Sequence, residues 1–287
     1  MNKLRALAVL LVLSALLSLP CRKQMGVRGI ELSVGFSDRV LTDDLFTQVT
    51  CRVKTSPSFA PIAEDNQIVL RLFDHGRLLV RDAFEPPIPT SKWEPDREYA
   101  FTRTIYIPPF IDEFDPAFRG VETVALDVGL GPPTGGADRP PLVVHTRTLR
   151  LVPAADAPVM VFLDGWSPRE TLPGDQIGWR RWTGREARVA IDNPGRDALL
   201  VIRGSVDAAA PADQKITIAI DGRVLEEFEP GRRDFERRYA VGKDRLGARK
   251  DFVLTVSVDK TFLPAKAVPG SADGRELGVR ISLIYFR

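Results

Sequence analysis

From residue 30 onward, apolar side chains recur at every second position in short runs. Val49-Cys51-Val53, Ile68-Leu70-Leu72, Tyr99-Phe101 with Ile105-Ile107, and Val124-Leu126-Val128-Leu130 each put one apolar face on a single segment. A strand sends successive side chains to opposite faces, so this period predicts half-buried strands. Long helical periodicity is scarce, and Gly, Pro and Asp separate the runs. Gly and Pro together number 45 of 287 residues, about 16% against an average of roughly 12%, which favours many turns. The second half continues the pattern, with strands expected over residues 187–191, 199–205, 216–220, 223–228, 235–241, 252–259 and 277–285. Asp221-Gly222 between two such runs predicts a two-residue hairpin, because a type I′ turn needs positive φ at both central residues. The expected fold class is all-β, with two antiparallel β-sandwich domains of jelly-roll or Ig-like type following an N-terminal signal or anchor. The first domain is expected over residues 30–152 and the second over 159–287. The small-residue stretch Pro153-Ala154-Ala155-Asp156-Ala157-Pro158 would link them.

The N-terminus reads differently. Lys3 and Arg5 begin it, residues 4–19 are almost wholly apolar, and Pro20-Cys21-Arg22-Lys23 ends the run abruptly. A basic start, an apolar stretch and a polar break are the pattern of a secretory signal. Residues 1–20 are expected to be a signal peptide or membrane anchor, and 21–29 a linker. Cys21 stands where a bacterial lipoprotein carries its acylated cysteine, although Ser18 and Pro20 differ from the usual flanking residues. Two alternatives stay open, an uncleaved or otherwise cleaved anchor and a chain kept in the cytoplasm. The expected location is the bacterial cell envelope, with the membrane reached through the N-terminal anchor. Residues 1–20 hold two cations and no acids, so their removal leaves 38 Lys+Arg against 38 Asp+Glu. A neutral chain does not steer a polyanion, and nucleic acid is not expected as a partner.

Enzyme templates are missing from the sequence. It contains no G-x-G-x-x-G, phosphate loop, H-E-x-x-H or nucleophile elbow. Two Cys and two His, all far apart, argue against a zinc finger and a His-rich metal centre. His75 and His145 read as structural or surface residues, and Cys51 as a buried core thiol. Asp112, Glu113 and Asp115 could offer hard oxygens to calcium, but the interleaved Phe110, Ile111 and Phe114 suggest a loop packed on a sheet. No cofactor and no catalytic residue is expected.

Three of the four tryptophans fall within 17 residues, in Gly165-Trp166-Ser167-Pro168-Arg169-Glu170 and Gly178-Trp179-Arg180-Arg181-Trp182-Thr183. An indole offers a flat apolar face to a sugar ring, while Arg, Asp and Glu satisfy hydroxyls; the combination suits a small-ligand site. The same tryptophans could instead plug the end of a sandwich. Near the C-terminus, Asp273-Gly274-Arg275-Glu276 turns the chain into its last strand, either lining a loop-end cleft or forming a salt bridge that fixes the loop. The candidate ligand-binding residues are Trp179, Arg180, Trp182, Asp273, Arg275 and Glu276, and Cys21 is the candidate lipidation site.

Gly165-Trp166 with Glu170, Trp179-Arg180 with Trp182-Thr183, Phe262-Leu263-Pro264, and Asp273 with Arg275-Glu276-Leu277-Gly278-Val279 resemble a β-sandwich module of bacterial envelope proteins. That module is attached to membrane glycosyltransferases and polysaccharide-biosynthesis proteins, and the resemblance covers roughly residues 157–287. It implies a galactose-binding-like jelly roll with no catalysis inside the module. Phe73-Asp74-His75, residues 86–89, Trp93-Glu94-Pro95, Ile107-Pro108 and Val128-Gly129-Leu130 resemble the extracytoplasmic sandwich that accompanies such proteins. The expected function is that of a non-catalytic envelope protein, a carbohydrate-binding or polysaccharide-assembly module. The alternatives are a structural lipoprotein that docks envelope proteins, and a carbohydrate-active enzyme with two carboxylates about 5–10 Å apart.

Overall fold

The computed structural model describes residues 29–132, 141–170, 179–231 and 233–287. Cys21 and the whole apolar N-terminus lie outside the described residues. No helix among the described residues is long and apolar enough to cross a membrane. The chain divides into two compact units, residues 1–153 and 154–287.

The first unit is a sandwich of a three-stranded and a five-stranded sheet. Its strands are β1 (Ile30–Phe36), β2 (Leu41–Thr42), β3 (Leu45–Thr55), β4 (Gln67–Asp74), β5 (Arg77–Phe84), β6 (Glu98–Ile107), β7 (Glu122–Gly131) and β8 (Leu142–Val152). One sheet runs β1-β3-β6 and the other β2-β8-β7-β4-β5. The pairs are antiparallel except the short parallel match of β2 to β8 at Leu41↔Leu151 and Thr42↔Val152. The alternating residues point inward as the period requires: Val49, Cys51, Val53, Ile68, Leu70, Leu72, Val124, Leu126 and Val128 are all fully buried. Each buried aliphatic side chain removes enough apolar surface from water to contribute about 1.5–3 kcal/mol. Trp93, from the loop before β6, lies against Tyr99 with ring centroids 5.2 Å apart, and its Nε1–H donates to the Ile88 carbonyl at 3.0 Å. A two-residue turn, His75-Gly76, joins β4 to β5 with φ of +47° and +84°.

Residues 108–120 differ from expectation. Asp112 and Asp115 spend their carboxylates on the backbone N–H groups of Phe114 and Ala117. Phe114 stands 95% exposed rather than packed on a sheet. The loop is held instead by buried Asp43, whose Oδ2 accepts from the N–H groups of Phe110 and Ile111, each at 3.0 Å.

The second unit comprises β9 (Met160–Phe162), β10 (Arg181–Trp182), β11 (Glu186–Asp192), β12 (Ala198–Ser205), β13 (Ile216–Ile220), β14 (Arg223–Phe228), β15 (Asp234–Val241), β16 (Asp251–Val258) and β17 (Arg280–Phe286). One sheet is ordered β10-β17-β12-β15 and the other β14-β13-β16-β11-β9. From β11 to β17 the chain changes sheet at every connection except the β13–β14 hairpin, so the two sheets are sewn together over one core. Ile191, Ile202, Ile218, Phe252, Leu254 and Phe286 form its centre, with the Phe252 and Phe286 rings 4.9 Å apart. The turn between β13 and β14 has φ of +47° at Asp221 and +75° at Gly222, as a type I′ hairpin requires. The last strand begins at Arg280, not at residue 277. Leu277 makes only an isolated bridge to Phe262, and Arg275 and Glu276 therefore precede the sheet.

Candidate functional site

The candidate residues of the second unit lie where β10 meets the segment leading into β17. Arg181 and Trp182 form β10, paired with Ile281 and Arg280. Thr183 continues the contact. Its Oγ1 accepts the Val279 N–H at 3.0 Å, its N–H donates to the Val279 carbonyl, and its carbonyl accepts from Gly278 at 2.7 Å. Glycine is required at Gly278, since a Cβ there would lie 2.5 Å from the Gly184 carbonyl oxygen. Gly165 is equally constrained, with φ of +83° and a would-be Cβ 1.9 Å from the Glu186 carbonyl oxygen. That close approach brings Trp166 beside Thr183 as an isolated bridge.

The three clustered tryptophans do not form one platform. Trp166 and Trp179 are half-buried and stand edge-on to the ring of Phe162, at centroid distances of 5.1 and 5.4 Å. The Arg181 guanidinium lies over that same Phe162 ring at 4.6 Å and donates to the Ser167 carbonyl. The Trp166 Nε1–H is fixed on the Arg188 carbonyl at 2.7 Å. Trp182 points elsewhere. It is 7% exposed, packs edge-on against Phe262 at 5.9 Å beside Leu277, and carries the Arg280 guanidinium over its ring at 5.4 Å. A ring so enclosed has no face to offer a sugar, so Trp182 is a core residue of a small satellite cluster. Adjacent residues on a strand face opposite ways, and this separates Arg181 and Trp182 into the two clusters.

A polar row runs beside them. The backbones of Arg180 and Glu170 exchange hydrogen bonds of 2.8 and 3.0 Å. The Glu170 carboxylate meets Arg275, whose Nη2 lies 3.3 Å from Oε1. Arg275 also grips Asp273, with Nε at 3.0 Å from Oδ1 and Nη2 at 2.7 Å from Oδ2. The Arg275 N–H donates to Asp273 Oδ1 as well, which tightens the turn. These hydrogen bonds hold the Asp273 carboxyl down to about 2, and they raise the Arg275 pKa in return. Glu276 turns away and accepts a hydrogen bond from the Thr261 hydroxyl.

The structure therefore brings Arg180, Asp273 and Arg275 together through Glu170, sets Trp179 against Phe162, and separates Trp182 and Glu276 from both groups. Phe162, Glu170 and Arg181 are the contributors absent from the sequence-derived set. Glu170 was visible in the sequence beside Trp166, but nothing there marked it as the partner of a residue 105 positions away. Phe162 sits on a three-residue strand too short to show a period.

Neither a protein-family model nor a curated protein matches this chain. Among solved structures it is similar to the secreted serine protease VesC from Vibrio cholerae, at 9% identity and a TM-score of 0.28, covering 89% of this chain and 50% of that one. It is similar to the M60 catalytic domain with the CBM51-1 and CBM51-2 domains of Clostridium perfringens ZmpB, at 10% identity and a TM-score of 0.21, covering 88% and 38%. It is also similar to the collagen adhesin of S. aureus, at 9% identity and a TM-score of 0.20, covering 91% and 96%. The chain thus spans half or less of the first two. Likeness at these scores extends to no common site and carries no functional argument.

Proposed function

We propose that this chain is an exported, membrane-anchored protein of the bacterial envelope whose second sandwich is a non-catalytic binding module for neutral glycan. The observation that supports this reading is the Arg180–Glu170–Arg275–Asp273 row, with the half-buried Trp179 next to Arg180 in the chain and its indole against Phe162. An apolar ring with part of its surface in water, together with fixed hydrogen-bonding groups in the same unit, offers what the two sides of a sugar require. Trp179 supplies the stacking surface. Glu170 and Arg180 meet hydroxyls, and Arg275 with Asp273 holds the loop that carries them. Arg275 is already engaged by two carboxylates, so an acidic sugar would find no free guanidinium there. The resemblance of residues 157–287 to the module of polysaccharide-handling envelope proteins agrees with this assignment.

A hydrolase would need one carboxyl of the pair protonated near neutral pH. Glu170 and Asp273 share one arginine, and Asp273 is pushed to about 2, which is the wrong direction for a general acid. Protein docking is the second reading, and one observation favours it. The edge strand β9 and its flanks expose Val159, Val161 and Leu163 at 61, 53 and 40%. An unpaired strand edge with such a row is a place where another strand can add.

The test is a titration of the full chain with neutral envelope oligosaccharides, followed by tryptophan fluorescence and calorimetry. Saturable binding abolished in Trp179→Ala, with the fold retained, is the expected result. No response across the panel would end the glycan reading, and crosslinking through β9 would then decide for docking. Metabolic labelling with a fatty-acid analogue, lost in Cys21→Ser, tests the anchor.

A further inference from the structure

Away from the candidate glycan site, three potential metal ligands converge at one end of the first sandwich. Asp74 ends β4, His75 opens the turn into β5, and Glu122 begins β7. Strand register explains the meeting. Asp74 pairs with Val124, so Glu122 lies two residues along β7 on the same face as Asp74. Such diagonal neighbours are within reach of long side chains. Val124 is fully buried, so both carboxylates lie on the inward face, at its open end. His75 follows in the turn, its side chain 79% exposed and its Nδ1 2.7 Å from Asp74 Oδ1. One donor atom from each of the three lies within 4.8 Å of the others.

The charges there are incompletely balanced. Arg77 Nη2 holds Asp74 Oδ2 at 3.0 Å, and His75 Nδ1 lies 2.7 Å from Asp74 Oδ1. The Asp74 side chain is only 14% exposed. The half-buried Glu122 carboxylate makes no hydrogen bond or ion pair with another described residue. Two carboxylates close together repel unless a cation stands between them. Arg77 engages the oxygen of Asp74 that His75 does not.

We propose that Asp74, His75 and Glu122 form a binding site for a divalent transition-metal ion such as Zn²⁺. One imidazole and two carboxylates are a donor set that such ions accept, whereas calcium and magnesium prefer all-oxygen sets. Arg77 orients the Asp74 carboxylate from behind, as outer hydrogen bonds orient metal ligands elsewhere. In the metal-free protein the His75 Nδ1–H donates to Asp74. A metal takes the neutral imidazole through whichever ring nitrogen carries the lone pair, the proton staying on the other. This inference is independent of the glycan reading, which concerns the other unit.

The experiment is calorimetric titration of the full chain with ZnCl₂, alongside His75→Ala, Glu122→Gln and His145→Ala. The expected result is one saturable equivalent, weakened about tenfold or more by each of the first two changes and untouched by the third. The chain has two histidines, so imidazole proton spectra provide a second readout. Added Co²⁺ should shift the His75 signals far more than those of His145. Thermal unfolding without metal confirms that each variant folds. Binding that survives both His75→Ala and Glu122→Gln would place the metal elsewhere and overturn the proposal, as would no saturable binding.

Discussion

Replacing Trp182 by alanine should damage the second sandwich rather than a binding surface. Trp182 is 7% exposed and packed between Phe262, Leu277 and the Arg280 guanidinium. Truncating a buried Trp costs about 3–5 kcal/mol, from lost transfer free energy and the cavity left behind. The cluster around Trp182 is small and stands apart from the main core, so its walls can partly collapse, and about 3 kcal/mol is expected. With a urea dependence of about 2 kcal/mol per molar, the unfolding midpoint of the second unit falls by about 1.5 M. Trp179 is only half-buried, and Trp179→Ala should lower the midpoint by less than half as much. Because both changes remove a fluorophore, the transitions are best followed by circular dichroism and by amide exchange in β12 and β16. A Trp182→Ala protein with an unchanged midpoint and no glycan binding would refute this assignment and return Trp182 to the ligand surface.

Acid should expose the Arg275–Asp273 contact. Asp273 titrates near 2 in the folded chain against 3.8 ordinarily, so between about pH 4 and 2 the unfolded chain binds more protons. The contribution of this contact is complete above pH 4 and is lost as pH falls toward 2. In Arg275→Ala the Asp273 carboxyl resonance should titrate close to its ordinary value; an unmoved midpoint would show that Arg275 is not the cause. Gly165→Ala should cost about 3 kcal/mol or more, because its Cβ meets the Glu186 carbonyl, whereas Gly222→Ala, with open space around it, should cost about 1 kcal/mol from positive φ alone. Equal urea midpoints for the two would contradict the close approach at Gly165. Burial pushes the Cys51 thiol to about 11, so iodoacetamide at pH 8 should label it only in urea. Labelling in the native protein at the rate of an exposed thiol would mean that β3 is not buried as described.

Much of the architecture was legible in the chain. Alternation at Val49-Cys51-Val53 and Val124-Leu126-Val128 specifies which face is buried, because a strand has only two faces. Asp221-Gly222 specifies its turn, because few residues tolerate two consecutive positive φ values. His75-Gly76 makes the same kind of turn and is harder to read, since Asn-Gly, Asp-Gly and Gly-Gly are the pairs that signal a two-residue hairpin. The arrangement of side chains around the candidate site was a different matter. Nothing local tells Trp179 from Trp182: each lies beside an arginine, and each could stack on a sugar or fill a core. Their fates were decided by long-range pairing. β10 docks on β17, which turns Trp182 onto Phe262 and leaves Trp179 against Phe162 of a distant strand. The same pairing brings Glu170 to Arg275, and in the other unit the pairing of β4 with β7 brings Glu122 to Asp74. Local sequence could determine period and turns because those depend on neighbouring residues. Which charge meets which, and which indole keeps a face in water, depends on strands far apart in the chain, and only the folded structure brings them together.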